Sequence, residues 1–328
     1  MDTLNVYLRL QVTRLCYNTT MNINKLTLAF ATAILSVSVM SGELEDGFKN
    51  PPADAEPKAS QEATGDVAAL KLQNDAALLA GKDDIACNPA WPGAKELIRY
   101  VARCRYLFRA SKAADKADAG RTFKDGTVGF FATHPTDKKS AAVSLDFPVT
   151  GKHPELWDPA TGRILRPSKS SEAGGRTTVV WNADPGASVF VMFRPQPSSA
   201  KKAPKILASQ IQDVEVTGTW DPEPTPDTAF ANKTFRFSEG CFRLPGYATM
   251  AWIDLGKAKG VFEIKVNGKK FPTLWKPPYR LNIADALSFE ADGHSTEPGA
   301  DIGQQAELNV ELKANGSFGT ITWQAICD

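Results

Sequence analysis

Short runs in which apolar and polar residues alternate recur along the second half of the chain. In the clearest run, Phe262–Val266 (FEIKV), apolar side chains occupy every second position, which is typical of a half-buried strand. The run ends at Asn267-Gly268, a pair that favours a type I′ hairpin turn because both central residues need positive φ. The pattern therefore predicts a β-hairpin, followed by an aromatic loop that contains Trp275 and Tyr279.

Similar runs predict further strands, separated by clusters of Gly, Pro, Asp and Asn. They cover 127–133, 141–149, 176–181, 188–194, 214–220, 233–237, 249–255, 308–312 and 320–325. Regular short strands without intervening helices predict a mainly β protein with two antiparallel β domains. We expect a small β domain at 121–195 and a jelly-roll sandwich at 207–328, joined by a Pro-, Ser- and Lys-containing linker at 196–206.

A short helical segment is predicted before the first β domain, over 67–120. Leu97, Val101, Cys104 and Phe108 recur at spacings of four, three and four, which places them on one face of a helix. Residues 43–66 are polar and rich in Pro, Ala, Glu and Asp, a composition that favours extended chain.

An export signal is visible, although it does not begin at residue 1. A short basic start at Met21 is followed by the apolar stretch 26–39 and by small residues near 39–42, as in a secretory signal peptide. The stretch is shorter than the ~20 residues that span a bilayer. We expect residues 1–20 to be an upstream extension, 21–42 to be the signal, and the protein to be secreted or periplasmic, with no membrane association beyond that signal.

The overall charge is nearly balanced, with 38 basic and 37 acidic residues. Such a balance gives no electrostatic footprint for nucleic acid, so no nucleic-acid partner is expected.

Of five cysteines, Cys16 lies in the upstream extension and four remain in the mature chain. The even number is compatible with an oxidising compartment. Pairing of Cys87 with Cys104 and of Cys241 with Cys327 is favoured because each bridge closes within one region, and unpaired buried thiols remain the alternative.

Four segments stand out along the chain: LEDGFKNPPADAEP (44–57), PGAKELIRYVARCRYLFRASKAADKADA (92–119), the segment 124–164 that contains GKHPELWDPATG, and 253–287. In this order they resemble segments of one family, glycoside hydrolase family 106, the α-L-rhamnosidases. The resemblance implies that 92–119 is a helix of that enzyme and that 124–164 belongs to its accessory β domain. It implies that 253–287 belongs to a galactose-binding-like sandwich of the kind seen as the sugar-binding domain of family 2 glycosidases.

The departure from the family lies between Pro57 and Pro92. Family members carry a (β/α)8 barrel there, which takes ~250 residues, whereas this chain has about 35. The expectation is a truncated rhamnosidase-like protein that retains accessory β domains without catalysis of its own. The family is calcium-dependent, but no catalytic or metal-ligating position is carried over and no cofactor is assigned.

The acids of the PELWDP motif, Glu155 and Asp158, are interpreted as turn residues because Pro159 and Gly162 mark corners. The three histidines lie far apart and none has zinc-site spacing. Acids at 285–297 lack EF-hand spacing and predict a solvated loop.

Binding to carbohydrate, in the family's case a rhamnose-containing plant polysaccharide, is the remaining chemistry. Trp275 and Tyr279 could stack on sugar C–H groups while Arg280 and Asn267 bond hydroxyls. The other tryptophans in strand or turn contexts are assigned to the core: Trp157, Trp181, Trp220, Trp252 and Trp323. A secreted carbohydrate-binding module and a structural or interaction protein of the cell envelope are the alternatives to the truncated enzyme.

Overall fold

The computed structural model describes residues 42–60, 67–80, 86–112, 120–135, 141–203, 211–214, 216–226, 228–244, 248–287, 290–291 and 304–327. By contacts between residues the chain divides into two compact units, Met1–Asp46 and Gly47–Asp328. The described part of the first unit is only the start of a helix, α1, at 42–49. The expected signal segment 21–42, apart from its last residue, lies outside the described residues, as do Cys16 and His294.

The N-terminal part of the second unit is helical, as the apolar spacing predicts. Helix α2 covers Val67–Leu79 and helix α3 covers Ala94–Ala110. Leu97, Val101 and Cys104 of the expected stripe on α3 are all fully buried. A 3-10 turn at Ala53–Ala55 and a short parallel pair, β1 (Lys58–Ala59) with β2 (Ala86–Cys87), complete this region. The described helices include none that is both long and apolar enough to cross a bilayer.

Eight strands after α3 form a small sandwich of two antiparallel sheets. A five-stranded sheet has the order β3–β4–β10–β6–β7, and a three-stranded sheet has the order β5–β9–β8. The strands are β3 (Arg121–Thr122), β4 (Val128–Thr133), β5 (Ala141–Phe147), β6 (His153–Trp157), β7 (Ile164–Leu165), β8 (Lys169–Ala173), β9 (Arg176–Ala183) and β10 (Ser188–Arg194).

Strand β10 is the centre of this small sandwich. It pairs with β4 on one side and β6 on the other, and all seven of its residues are buried. Val191 and Phe193 join the core between the two sheets, while Phe190 packs against Phe108 of α3 with ring centroids 6.3 Å apart. A strand covered on both faces reads as an unbroken apolar run, which is why its sequence SVFVMFR was easy to assign.

The last ten strands form a second, larger sandwich. A four-stranded sheet has the order β11–β20–β14–β17, and a six-stranded antiparallel sheet contains β12–β13–β19–β15–β16 with β18 beside β19. The strands are β11 (Ile211–Asp213), β12 (Thr219–Asp221), β13 (Ala229–Leu244), β14 (Ala248–Asp254), β15 (Lys259–Val266), β16 (Lys269–Lys270), β17 (Arg280–Asn282), β18 (Glu290–Ala291), β19 (Gln304–Ser317) and β20 (Thr322–Cys327).

The core of the larger sandwich confirms the alternation from which the strands were predicted. Phe262, Ile264 and Val266 are fully buried while Glu263 and Lys265 are exposed. Burying side chains of this size contributes about 1.5–3 kcal/mol each. The protein is mainly β, and its two sandwiches are built from antiparallel sheets, as the sequence predicts.

Candidate functional site

The two rings predicted to stack on sugar do not present an open face. Trp275 is 4% exposed and meets Tyr100 of α3 edge-on, with ring centroids 6.0 Å apart. Tyr279 is 5% exposed, packs edge-on against Phe262 and accepts a hydrogen bond from the backbone of Gly260 at 3.3 Å. Both rings are used to pack the protein against itself, and the sugar-stacking role stays a prediction without geometric support.

Asn267, predicted to bond sugar hydroxyls, is committed to the protein's own backbone. Its amide donates to the carbonyls of Ala286 at 3.0 Å and Glu307 at 2.8 Å, and it accepts from the backbone N–H of Asn309 at 2.8 Å. Its φ of 48° fits the predicted hairpin turn. The side chain therefore ties the hairpin to two neighbouring segments.

Arg280, the fourth predicted residue, connects the two sandwiches. Its guanidinium donates to Asp184 of the small sandwich at 2.5 Å and lies over the ring of Trp252 at 4.9 Å from the centroid. The partners of Arg280, Asp184 and Trp252, are different from the partners of Trp275 and Asn267. The structure does not gather the four predicted residues into one site.

A buried polar centre lies where α2 and α3 meet the small sandwich, and sequence reasoning missed it. We define it as Lys71, Asp75, Tyr100 and Ser188. The Lys71 ammonium donates to Asp75 at 2.6 Å and to Ser188 at 2.5 Å, and also to the carbonyl of Gly186. Its three donors are therefore all satisfied.

The Asp75 carboxylate holds the buried polar centre together. It accepts from the Ser188 hydroxyl at 2.7 Å and from the Tyr100 hydroxyl. Burial first, and then the charges around it, raises the pKa of Tyr100 well above its ordinary value. All four side chains are almost completely buried and bond to one another, so the centre holds α2, α3 and β10 together.

One sequence feature of this centre is visible in α2, but it is usually interpreted differently. Lys71 and Asp75 stand at i and i+4 on α2, a spacing that is usually interpreted as a solvent-exposed helix pair. Here Lys71 is only 2% exposed. The burial comes from β10, which is distant in sequence, so the sequence of α2 alone does not reveal it.

Lys276 lies beside the buried polar centre, in the loop between Trp275 and Tyr279. It is half-buried. Burial chiefly, and then the positive charge of Lys71, lowers the pKa of Lys276 below its ordinary value.

The PELWDP motif forms a strand followed by a turn. The interpretation of Asp158 as a turn residue is confirmed, since it accepts from the backbone of Ala160 at 2.8 Å and from Thr161 at 2.6 Å. Helix α3 fastens this turn, because Arg103 donates to the carbonyl of Pro159 at 2.9 Å.

Glu155 of the same motif is not a turn residue, and that expectation is wrong. It lies in β6, is buried, and accepts from the indole N–H of Trp157 at 2.7 Å. The guanidinium of Arg194 lies 3.5 Å away. The carboxylate is thus used to neutralise and orient neighbours inside the small sandwich.

The favoured bridge between Cys87 and Cys104 is not formed, and both thiols are free and buried. Burial raises the pKa of Cys87, and burial followed by the charge of Asp75 raises the pKa of Cys104 well above its ordinary value. The side chains of Cys241 and Cys327 lie outside the described residues. Within the described part of the chain, no group of three or more His, Cys, Asp or Glu side chains is arranged to hold a metal ion.

Comparison with known proteins finds a distant structural neighbour. No family model matches the sequence, and no curated protein matches it. The chain is similar to a solved structure described as a rhamnosidase from Novosphingobium sp. PP1Y, with 17% sequence identity and a TM-score of 0.39. The similarity covers 78% of this chain and 32% of the other, so the chain spans about a third of that rhamnosidase's length.

Proposed function

We propose that this chain is a non-catalytic accessory protein related to the α-L-rhamnosidases, in which helices and β domains form one scaffold. The observation that carries the proposal is that the family-like segment 92–119 contacts two others, 124–164 and 253–287. Tyr100 of the first meets Trp275 of the third. Arg103 of the first holds the PELWDP turn of the second.

The contacts of Glu155 and Asp158, the two acids of the PELWDP motif, support this proposal. An inverting pair of glycosidase acids stands ~6.5–9.5 Å apart across a water and a sugar. Glu155 instead serves Trp157 and Arg194, and Asp158 serves its own turn. Both carboxylates therefore already have structural partners.

Hydrolysis of an aryl α-L-rhamnoside by the purified full chain tests the proposal. We expect a rate equal to that of the buffer. A rate clearly above it would overturn the proposal if it stayed with the chain through successive purification steps and was absent from a mock preparation of cells that lack the gene.

Export is part of the proposal. We propose that residues 21–42 direct the chain out of the cytoplasm, on the strength of the apolar stretch 26–39. N-terminal sequencing of the mature protein is expected to begin near residue 43, and a mature chain that still begins at Met1 would contradict export.

A further inference from the structure

Trp252 does not belong to the core, contrary to the expectation from its strand context. Along β14, Ala251 and Ile253 point into the core of the larger sandwich and are almost completely buried. Since successive side chains of a strand alternate between faces, Trp252 and Asp254 lie on the outer face of the four-stranded sheet. Both are half-buried there.

The strand register places polar side chains beside Trp252 on that outer face. Trp252 is directly opposite Asn282 of β17 and Gln324 of β20, and Gln324 is directly opposite Asp213 of β11. Residues directly opposite in antiparallel strands share a face and lie within contact distance. We call this set of four, which crosses the whole sheet, the Trp252 row. Asp213 is exposed, and Asn282 and Gln324 are half-buried.

The surroundings of Trp252 are not those of an indole buried only for packing. Its Nε1 is buried and has no hydrogen-bond partner within the described structure, although a buried indole N–H usually finds an acceptor. Arg280 lies over the ring and is itself held by Asp184 of the small sandwich. The small sandwich thus holds in place the guanidinium that lies over the Trp252 ring.

We propose that the Trp252 row binds a neutral saccharide. An indole offers a surface for sugar C–H groups, and the primary amide of Gln324 can both donate to and accept from hydroxyls. The Asn282 Oδ1 accepts from the backbone N–H of Ala284 at 3.0 Å, so Asn282 contributes its amide N–H groups as donors. The charges disfavour an anionic ligand: Asp213 and Asp254 are acidic, and the guanidinium of Arg280, which lies over the Trp252 ring, is already paired with Asp184. The proposal goes beyond the scaffold role and does not depend on it.

Fluorine NMR of the full chain with 5-fluorotryptophan in place of its seven tryptophans tests this site. Trp252→Phe identifies the resonance of Trp252 by its disappearance, and should that variant not fold, Gln324→Ala identifies it by displacement. The neutral probes are methyl α-L-rhamnopyranoside and methyl β-D-galactopyranoside. The anionic probe is the methyl α-glycoside of D-galacturonic acid with its carboxylate free. We expect at least one neutral glycoside to shift the Trp252 resonance in a saturable manner and galacturonate to leave it in place.

Two variants of exposed or half-buried residues separate the site from the fold. Gln324→Ala removes one neutral hydrogen-bonding group and is expected to weaken binding roughly two- to tenfold. Gln73→Ala, on the exposed side of α2, is the matched control and is expected to leave binding unchanged.

A stationary Trp252 resonance with every probe would overturn the proposal. So would a sugar-dependent shift confined to Trp275, which would favour the loop predicted from the sequence, or a larger shift with galacturonate. Hydrolysis of the aryl rhamnoside is a separate readout, so the scaffold proposal and this one can fail independently.

Discussion

The role of a single residue depends on whether other parts of the same chain supply its hydrogen-bond and packing partners. Asn267 and Trp275 are of residue types that commonly bind sugars, yet their hydrogen bonds and ring contacts are made inside the protein. Lys71 and Asp75 have the spacing of a solvated pair and are instead buried. The hairpin turn at Asn267 follows from local backbone requirements and was predictable, whereas the side-chain contacts depend on strands distant in sequence and were not.

Removing the charge of Lys71 should lower the free energy of unfolding, because its buried partners lose their ammonium. Lys71→Met leaves Asp75 buried without its ammonium, which is expected to lower the free energy of unfolding by about 3–5 kcal/mol. Urea unfolding followed by circular dichroism measures this. The matched control is Lys265→Met, because the Lys265–Glu311 pair is 2.8 Å long and exposed, and an exposed pair contributes about 0–1 kcal/mol. Equal losses for the two variants would contradict a buried role for Lys71.

Lys276→Met should have the opposite effect. Because the pKa of Lys276 is lowered in the folded protein, the unfolded chain binds more protons between the folded pKa and the ordinary lysine value, and the stability of the wild type rises with pH across that window. The variant is therefore expected to be more stable than the wild type at pH 7, with the difference shrinking as the pH approaches the ordinary lysine value. Urea midpoints at a series of pH values measure this, with exposed Lys257→Met as the control, and a difference that grows with pH would refute it.

At the level of elements, several short strands were predicted almost to the residue, and the long irregular ones were not. β10 matches its predicted bounds, while β13 and β19 extend well beyond the predicted 233–237 and 308–312. The additional residues pair through register shifts near Phe230 and Glu239, and a bulge breaks the period from which a strand is recognised. β6 was missed because its PELW sequence was interpreted as a turn.

One close approach explains two glycines in these long strands. Gly260 of β15 is directly opposite Gly316 of β19, with φ of 123° and 144°. A Cβ at either position would collide with the backbone of the other strand. Only glycine is compatible with this approach and with those φ values.

Helix α3 fastens the PELWDP turn, and Arg103 is the residue to test. Arg103→Ala removes a charged donor from the Pro159 carbonyl, and hydrogen bonds of charged groups contribute about 1.5–3 kcal/mol. We expect a loss of that size in the free energy of unfolding, together with faster hydrogen exchange at the amide of Gly162, which donates to Asp158 across the turn at 2.8 Å. Arg236→Ala is the control, since Arg236 is 68% exposed, and should change stability by less than about 0.5 kcal/mol. Unchanged exchange at Gly162 would show that the turn is stable without α3.

At the scale of the whole molecule, the mainly β architecture followed from the sequence, but the way its parts join did not. Composition and strand spacing indicate two β domains, because each strand needs a buried face. The joining contacts, such as Arg280 with Asp184 and Tyr100 with Trp275, connect residues that are remote in sequence. No local pattern marks them.

Trp275 is expected to act on stability and not on ligand binding. Trp275→Ala removes a large buried side chain at the meeting of helix and sandwich, and such truncations lower the free energy of unfolding by about 3–5 kcal/mol. Calorimetry and urea unfolding measure the change. Leu72→Ala is the control, because Leu72 is 42% exposed, and should be nearly neutral. A variant that keeps its stability and loses affinity for sugar would restore the predicted role of the loop.

The place of β20 in the larger sandwich has a consequence for biosynthesis. β20 lies between β11 and β14, so both of these strands must wait for a strand that is synthesised after them. Pairing that depends on segments far apart in sequence is slow, and until Thr322–Cys327 emerges, the edges of β11 and β14 that β20 covers stay open. A nascent chain halted before Thr322 would carry these edges into the crowded cell, where they are templates for aggregation.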